Sequence, residues 1–223
     1  MPPLKAIVSW SSGKDSAYAL HQARSSGDYE VIAILTTVTA AFRRVSMHGV
    51  REELLDAQVE QLGLPCRKIR IPSPCPNTIY EREMTAALAE FHGQGVRHVI
   101  FGDLFLRDIR AYREAQLGAI GMSGVFPLWM RDTAVLAREM LESGVRATLT
   151  CVDTRKLDTS FAGRRFDTQL LAMLPVGIDP CGENGEFHTF ISAGPMFPRA
   201  IQVVPGEVVV REGFAFADLL LEP

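Results

Sequence analysis

The sequence predicts an α/β fold: a parallel five-stranded sheet with helices on both faces, then a smaller α+β C-terminal domain. Three observations carry the prediction. Short apolar, partly β-branched runs alternate with helical runs through the first half of the chain. The first strand meets the first helix in a tight turn, Trp10-Ser11-Ser12-Gly13-Lys14-Asp15-Ser16. From about Asp153 the alternation weakens, and the chain ends in a hairpin-like pattern.

Leu4 to Ser9 is apolar and β-branched enough for a buried strand, and Ala17 to Ala23 reads as a helix that Gly27 ends. Val31 to Thr37 is a second buried strand. A polar stretch with Arg43, Arg44, Ser46, Met47 and His48 follows. Val50 to Leu62 is a helix: Val50, Leu54, Ala57 and Gln61 share one face, Leu55 and Leu62 lie beside it, and Gly63 and Pro65 close it. Cys66 to Ile71 alternates as a third strand. Pro72, Pro74 and Pro76 stiffen the loop before a helix at Thr78 to Phe91. Val96 to Phe101 is the fourth strand, closed by Gly102-Asp103. Arg107 to Ile120 is another helix, and Val125 to Trp129 a short fifth strand.

A boundary near Gly124 divides the chain into 1–124 and 125–223. Beyond it, Asp132 to Ser143 reads as a helix and Arg146 to Val152 as a strand. Leu157 to Phe166 is mixed and polar, and Asp167 to Leu174 is a short helix. Ala200 to Val204, Pro205-Gly206 and Glu207 to Val210 read as a hairpin. Right-handed crossovers place the Ser11–Ser16 turn, Thr37 to His48 and Gly102-Asp103 along one carboxyl edge of the sheet. Ligands of open α/β sheets bind at that edge.

Bulk composition narrows the class. A chain of 223 residues buries about 70% of its unfolded surface and needs no staples. It is 47% hydrophobic and 22% charged, ordinary for a globular protein, and its net charge of −3 speaks against a general nucleic-acid binder. Cys66, Cys75, Cys151 and Cys181 form no Cys-x-x-Cys pair, so neither a zinc site nor a redox pair is expected. No secretory leader and no membrane-length apolar run is apparent. A reduced, cytoplasmic protein is expected, with no membrane partner.

The turn itself carries chemistry. A strand feeding a helix aims free backbone N–H groups and the positive helix end at one point, which suits an anion such as phosphate. Gly13 lets the backbone approach a ligand, Lys14 adds a point charge, and Ser11, Ser12 and Ser16 offer hydroxyls. This is not a Walker A loop: the earlier glycine is replaced by Val8, and Asp15 follows the lysine. An ordinary N-cap from Ser12 or Asp15 is the plainer alternative.

Asp179-Pro180-Cys181-Gly182-Glu183-Asn184-Gly185-Glu186-Phe187-His188-Thr189 is the second unusual stretch. It sets carboxylates, an amide, an imidazole and a hydroxyl beside two glycines. Such a loop can place Glu183 and Glu186 around an amine, a cation or a metal. A surface turn in which Asn184-Gly185 joins two strands fits equally well. Arg110 and Arg113 read first as a solvated helix face, His48 and His188 as hydrogen-bonded structural residues, and Trp10 as core.

The Ser11–Ser16 turn resembles the Ser-Gly-Gly-x-Asp-Ser loop of the PP-loop ATP pyrophosphatases, with Ser12 where that superfamily usually has its first glycine. Together with Gly182 to Thr189, it is similar to the diphthine–ammonia ligase family. That family has Gly-Glu-Gly-Gly-Glu-Tyr-x-Thr at the second stretch, so Asn184 and Phe187 depart from it. Gly102-Asp103 and the Asp108, Arg110, Arg113 and Glu114 set also look like the family.

The resemblance implies an adenine nucleotide alpha-hydrolase-like fold at 1–124 and a substrate-binding domain at 125–223. It implies adenylation of a substrate carboxylate by ATP, with AMP and pyrophosphate released, and capture of the adenylate by ammonia. Lys14 and Asp15 would be catalytic. Ser11, Ser12, Gly13, Lys14, Asp15, Ser16, Gly102 and Asp103 would hold the nucleotide, and Asp15 would hold Mg²⁺, with Asp103 a weaker candidate. Glu183, Asn184, Glu186, His188, Arg110 and Arg113 would bind the substrate. The expected partners are ATP, ammonia and a carboxylate, either a modified elongation-factor residue or a small molecule such as a cobamide precursor. A tRNA-modifying PP-loop enzyme and a nucleotide-binding module without catalysis are the rivals, and a homodimer is left open.

Overall fold

The computed structural model describes residues 2–222. The first half contains β1 (Leu4–Ser9), α1 (Lys14–Ser26), β2 (Tyr29–Thr39), β3 (Arg44–Val45), α2 (Glu52–Leu62), β4 (Cys66–Ile71), α3 (Asn77–Gly93), β5 (His98–Ile100), α4 (Arg107–Gly118) and β6 (Ser123–Val125). Five of these strands are parallel neighbours in the order β4-β2-β1-β5-β6. The two-residue β3 adds an antiparallel piece at the end of β2.

Side chains alternate along each strand, so each face of the sheet collects its own set. Ala6, Val8, Ile34 and Ile100 pack with Ala17, Leu20 and Leu54 on one face. Ile7, Ala33, Leu35 and Val99 pack with Ala87, Leu88, Phe91 and Leu117 on the other. The α/β sheet with both faces covered is therefore as expected.

The fifth strand is not at Val125 to Trp129. It spans Ser123–Val125, and the chain then turns, with Trp129 N–H donating to the Phe126 carbonyl. Pro127 has no N–H for a ladder, and the Phe126 ring folds back to stack on Phe101 at 5.4 Å.

The second half contains α5 (Thr133–Glu142), β7 (Arg146–Asp153), β8 (Arg165–Phe166), α6 (Thr168–Met173), β9 (Phe187–Ala193), β10 (Val203–Arg211) and β11 (Phe214–Leu221). Its five strands form a separate antiparallel sheet. β7 lies at its centre and bonds to β8, β9 and β11, while β10 lies outside β11.

The expected hairpin at Pro205-Gly206 is absent. β10 runs through both residues as one strand with a bulge between Pro205 and Val208. The turn falls at Glu212-Gly213, where both φ angles are positive, 51° and 81°. A two-residue turn of that hand matches strand twist, which the fixed negative φ of Pro205 cannot.

One apolar cluster runs from Ala6 and Ala17 into Leu149, Phe190 and Ile191, so the antiparallel sheet packs on the α1 side of the parallel one. That contact brings β9 against the turn before α1. Phe190 is fully buried in it, and truncating such a residue to alanine costs about 3–5 kcal/mol.

Candidate active site

The carboxyl end of β1 enters α1 through a turn that needs a left-handed residue. Ser12 fills that place with φ 67°, and its hydroxyl is buried without a hydrogen-bond partner. An L-residue there costs about 1–2 kcal/mol, the physical reason a glycine suits the position. The Ser12 carbonyl is fixed from outside, accepting from Ile191 N–H at 3.0 Å and Gln58 Nε2 at 3.1 Å.

Inside the turn, Ser11 Oγ accepts from Gly13 N–H and lies 3.1 Å from Ser16 Oγ. Gly13 caps α1, and Lys14 N–H donates to Thr189 Oγ1 at 3.1 Å. The next amides, of Asp15 and Ser16, find no acceptor among the described residues. A side chain at Gly102 would meet the Asp15–Ser16 backbone at 2.6 Å, so only glycine lets β5 pass so close beneath the turn.

Lys14 is buried and bent toward the second loop. Its Nζ donates to both Asp15 oxygens, at 3.0 and 2.9 Å, and to the Cys181 carbonyl. It also lies 5.1 Å and 5.4 Å from the Phe166 and Phe187 ring centres. Burial, the largest single influence, lowers its pKa, but Asp15, Cys181 and Asp179 together outweigh that and hold the ammonium charged.

The second loop is held by its own carboxylates. Asp179 Oδ2 accepts from Cys181 N–H and Glu183 N–H. Glu183 Oε1 accepts from Leu104 N–H at 2.7 Å, tying the loop to the segment after β5. Burial pushes the Glu183 carboxyl up to about 7, and nearby Asp15 and Asp103 add to the rise. Glu186 Oε1 accepts from Asp179 N–H and Asn184 Nδ2, while its Oε2 is buried with no partner. Gly182 takes φ 76°, and a Cβ there would lie 2.8 Å from the Phe187 carbonyl oxygen.

His48 and His188 face each other with ring centres 4.6 Å apart, and His48 Nδ1 donates to the Thr189 carbonyl. Burial lowers His48 to about 3 and His188 to about 4, so both rings are neutral at pH 7. Neutral rings suit hydrogen bonding more than acid catalysis.

The structure thus brings Ser11 to Ser16, Gly102, Glu183, Glu186 and His188 to one junction, whereas Asn184 is exposed, its side-chain amide donating to Glu186 and its backbone carbonyl accepting from Lys156. Asp103 lies close enough to Glu183 to raise its carboxyl and pairs with Arg113 at 2.8 Å, and Arg113 stacks over Phe101. Arg110 lies over the rings of Phe126 and Trp129 and pairs with Glu114. Trp10 is core, its Nε1 donating to Gln58 Oε1 at 2.9 Å.

Gln58 is the residue that pattern-reading passed over. It is fully buried, and its amide binds Trp10, Ser12 and Ile191 at once. The signal was present, because Gln58 stands four residues from both Leu54 and Leu62, on their side of the helix.

Beside the turn, between α3 and α4, lies a shallow, open cleft. Ser9, Leu35, Tyr80, Phe101, Tyr112 and Arg113 line it. Among the described residues, no group of three or more His, Cys, Asp or Glu side chains is arranged to hold a metal, and no helix is long and apolar enough to cross a membrane.

Two family models match the chain. The diphthamide synthase N-terminal domain covers residues 4–122, and the diphthamide synthase C-terminal domain covers residues 132–219. Among curated proteins, the human diphthine–ammonia ligase is 26% identical over 232 residues, covering 94% of this chain and 86% of its own. The bovine protein of the same name matches equally, and the zebrafish one is 27% identical over 237 residues, covering 94% and 90%.

Proposed function

The chain belongs to the diphthamide synthase family, and we propose that it is an ATP-dependent ligase that converts a substrate carboxylate into an amide with ammonia. One observation carries the proposal. Two loops about 170 residues apart in sequence meet through Lys14, whose N–H binds Thr189 and whose ammonium binds the Cys181 carbonyl. A phosphate-type helix terminus and a carboxylate-bearing loop thereby share one site.

The free amides of Asp15 and Ser16, with the Ser11 and Ser16 hydroxyls, bind the pyrophosphate end of ATP. The adjoining cleft, with Tyr80, Phe101 and Tyr112 on its walls, takes the adenosine end. A carboxylate oxygen of the acceptor attacks the α-phosphorus. A new P–O bond forms, the bond to the β-phosphate breaks, and pyrophosphate leaves. Ammonia nitrogen then attacks the acyl carbon, AMP leaves with the bridging oxygen, and the nitrogen sheds a proton. The charge developing on pyrophosphate falls beside the helix terminus and Lys14, which stabilises it.

Mg²⁺ fits the residues present: Asp15 offers hard carboxylate oxygens, partly exposed at 27%, and such an ion needs only one or two carboxylates besides phosphate. When bound it would neutralise phosphate charge.

Diphthine, the acceptor in the relatives' names, is the proposed carboxylate. Elongation factor carrying diphthine, incubated with the protein, ATP, Mg²⁺ and ammonium, is expected to show the amide by peptide mass spectrometry. A carboxylate left intact, with ATP consumed only when small acids are supplied, would move the acceptor to a small molecule.

A further inference from the structure

The C-terminal sheet ends in an open edge. Among the described residues β10 bonds only to β11, and Glu207 to Arg211 are exposed. Val208, Val209 and Val210 are 50%, 37% and 57% exposed, three consecutive apolar β-branched residues on an unpaired strand. Such an edge is a template for another strand. The turn shows which backbone groups point outward. Residues flanking a two-residue turn bond to each other, and here these are Arg211 and Phe214. Alternation along the ladder then turns Val209 inward toward Phe216 and leaves the N–H and C=O of Val208 and Val210 facing out. Pro205, with no N–H, and the bulge beside it end the regular edge.

We propose that this edge is a homodimer surface, with β10 of two copies paired antiparallel about a two-fold axis through Val209. Self-complementarity sets the register. Pairing about Val209 puts Val208 opposite Val210 of the second copy, on both sides of the axis, which makes roughly four backbone hydrogen bonds. It also puts Glu207 opposite Arg211 of the second copy, twice. These are non-hydrogen-bonded positions, where side chains approach more closely and opposite charges favour pairing. An axis one residue away, through Val208 or Val210, leaves both charges facing uncharged residues. The pairing joins the two C-terminal sheets into one continuous sheet.

Sedimentation velocity of the full chain across a wide concentration range tests this. The wild type is expected to pass from monomer to dimer as concentration rises. Glu207→Arg and, separately, Arg211→Glu set like charges across the axis and raise the dimer dissociation constant at least about tenfold. The double variant Glu207→Arg with Arg211→Glu restores opposite charges and the dimer. Both positions are exposed, so circular dichroism stays unchanged throughout. A wild type that is monomeric at every concentration, a dimer indifferent to the single reversals, or a double variant that stays dissociated would each overturn the proposal.

Discussion

The two loops that meet at Lys14 are built in opposite ways. The Ser11–Ser16 turn is made by backbone: a strand end, a left-handed residue and a helix start, with two amides left unspent. The Asp179–Thr189 loop is made by side chains, and Asp179, Glu183 and Glu186 each spend one carboxylate oxygen on backbone N–H groups. The first loop presents donors to a ligand. The second uses one oxygen of each carboxylate to hold itself in place, and the other oxygen of Glu186, Oε2, is buried without a partner. A carboxylate in a motif is therefore weak evidence of ligand contact until its hydrogen bonds are counted.

Removing the residue the loops share gives the largest effect. Lys14→Ala takes away a charge-assisted contact of about 1.5–3 kcal/mol and lowers turnover at least tenfold. It also strips Asp15 and the Cys181 carbonyl of their donor, so denaturant unfolding is expected to show a loss of about 3 kcal/mol. An Asp15→Asn variant combined with it restores part of that stability and none of the turnover. Equal loss in both variants would mean that the pair is not coupled.

Next comes the brace under the first loop. Gln58→Leu keeps the volume but orphans Trp10 Nε1 and takes one donor from each of the Ser12 and Ile191 carbonyls. Denaturant midpoints are expected to fall by the equivalent of about 3 kcal/mol. A change below about 0.5 kcal/mol would show that the turn holds itself without the second sheet.

The titrating groups of the second loop sharpen the contrast through pH. Glu183 has a folded pKa near 7, above its ordinary 4.5, so its stability contribution is full below about 4.5 and is lost as pH rises to about 7. His188, lowered from 6.5 to about 4, acts the other way: its contribution is lost as pH falls through that window. Glu183→Gln keeps the acceptor for Leu104 N–H and removes only the first slope. Its stability relative to wild type is expected to grow between pH 4.5 and 7 and then level off, measured by urea unfolding at several pH values. A constant difference across the window would refute the shifted carboxyl.

Ser12→Gly gives the smallest effect and an unusual sign. It relieves a left-handed serine and removes an orphaned buried hydroxyl, offset by the chain entropy of glycine. A gain of about 1 kcal/mol in thermal unfolding is expected; a loss of that size would mean that the hydroxyl has a partner.

Much of this was legible in the sequence because it is local. The strand-turn-helix at Ser11–Ser16 and the alternating runs of the parallel sheet are set by near neighbours. What escaped depends on distance or on turn hand. Glu183 finds Leu104, 79 residues away, and Gln58 finds Ile191, 133 residues away. Pro205-Gly206 looks like a turn, yet Glu212-Gly213 has the two positive φ angles that a tight hairpin requires. Arg110 and Arg113 read as a solvated face and stay partly exposed, but they also stack on Phe126, Trp129 and Phe101, whose positions only the fold defines.

The most direct test of the joined site is the fate of ATP labelled at the α-phosphate, incubated with the protein, Mg²⁺, ammonium and acceptor. AMP and pyrophosphate, formed by the wild type and at least tenfold more slowly by Lys14→Ala, are the predicted result. ADP and phosphate, or AMP formed at the wild-type rate without Lys14, would contradict it.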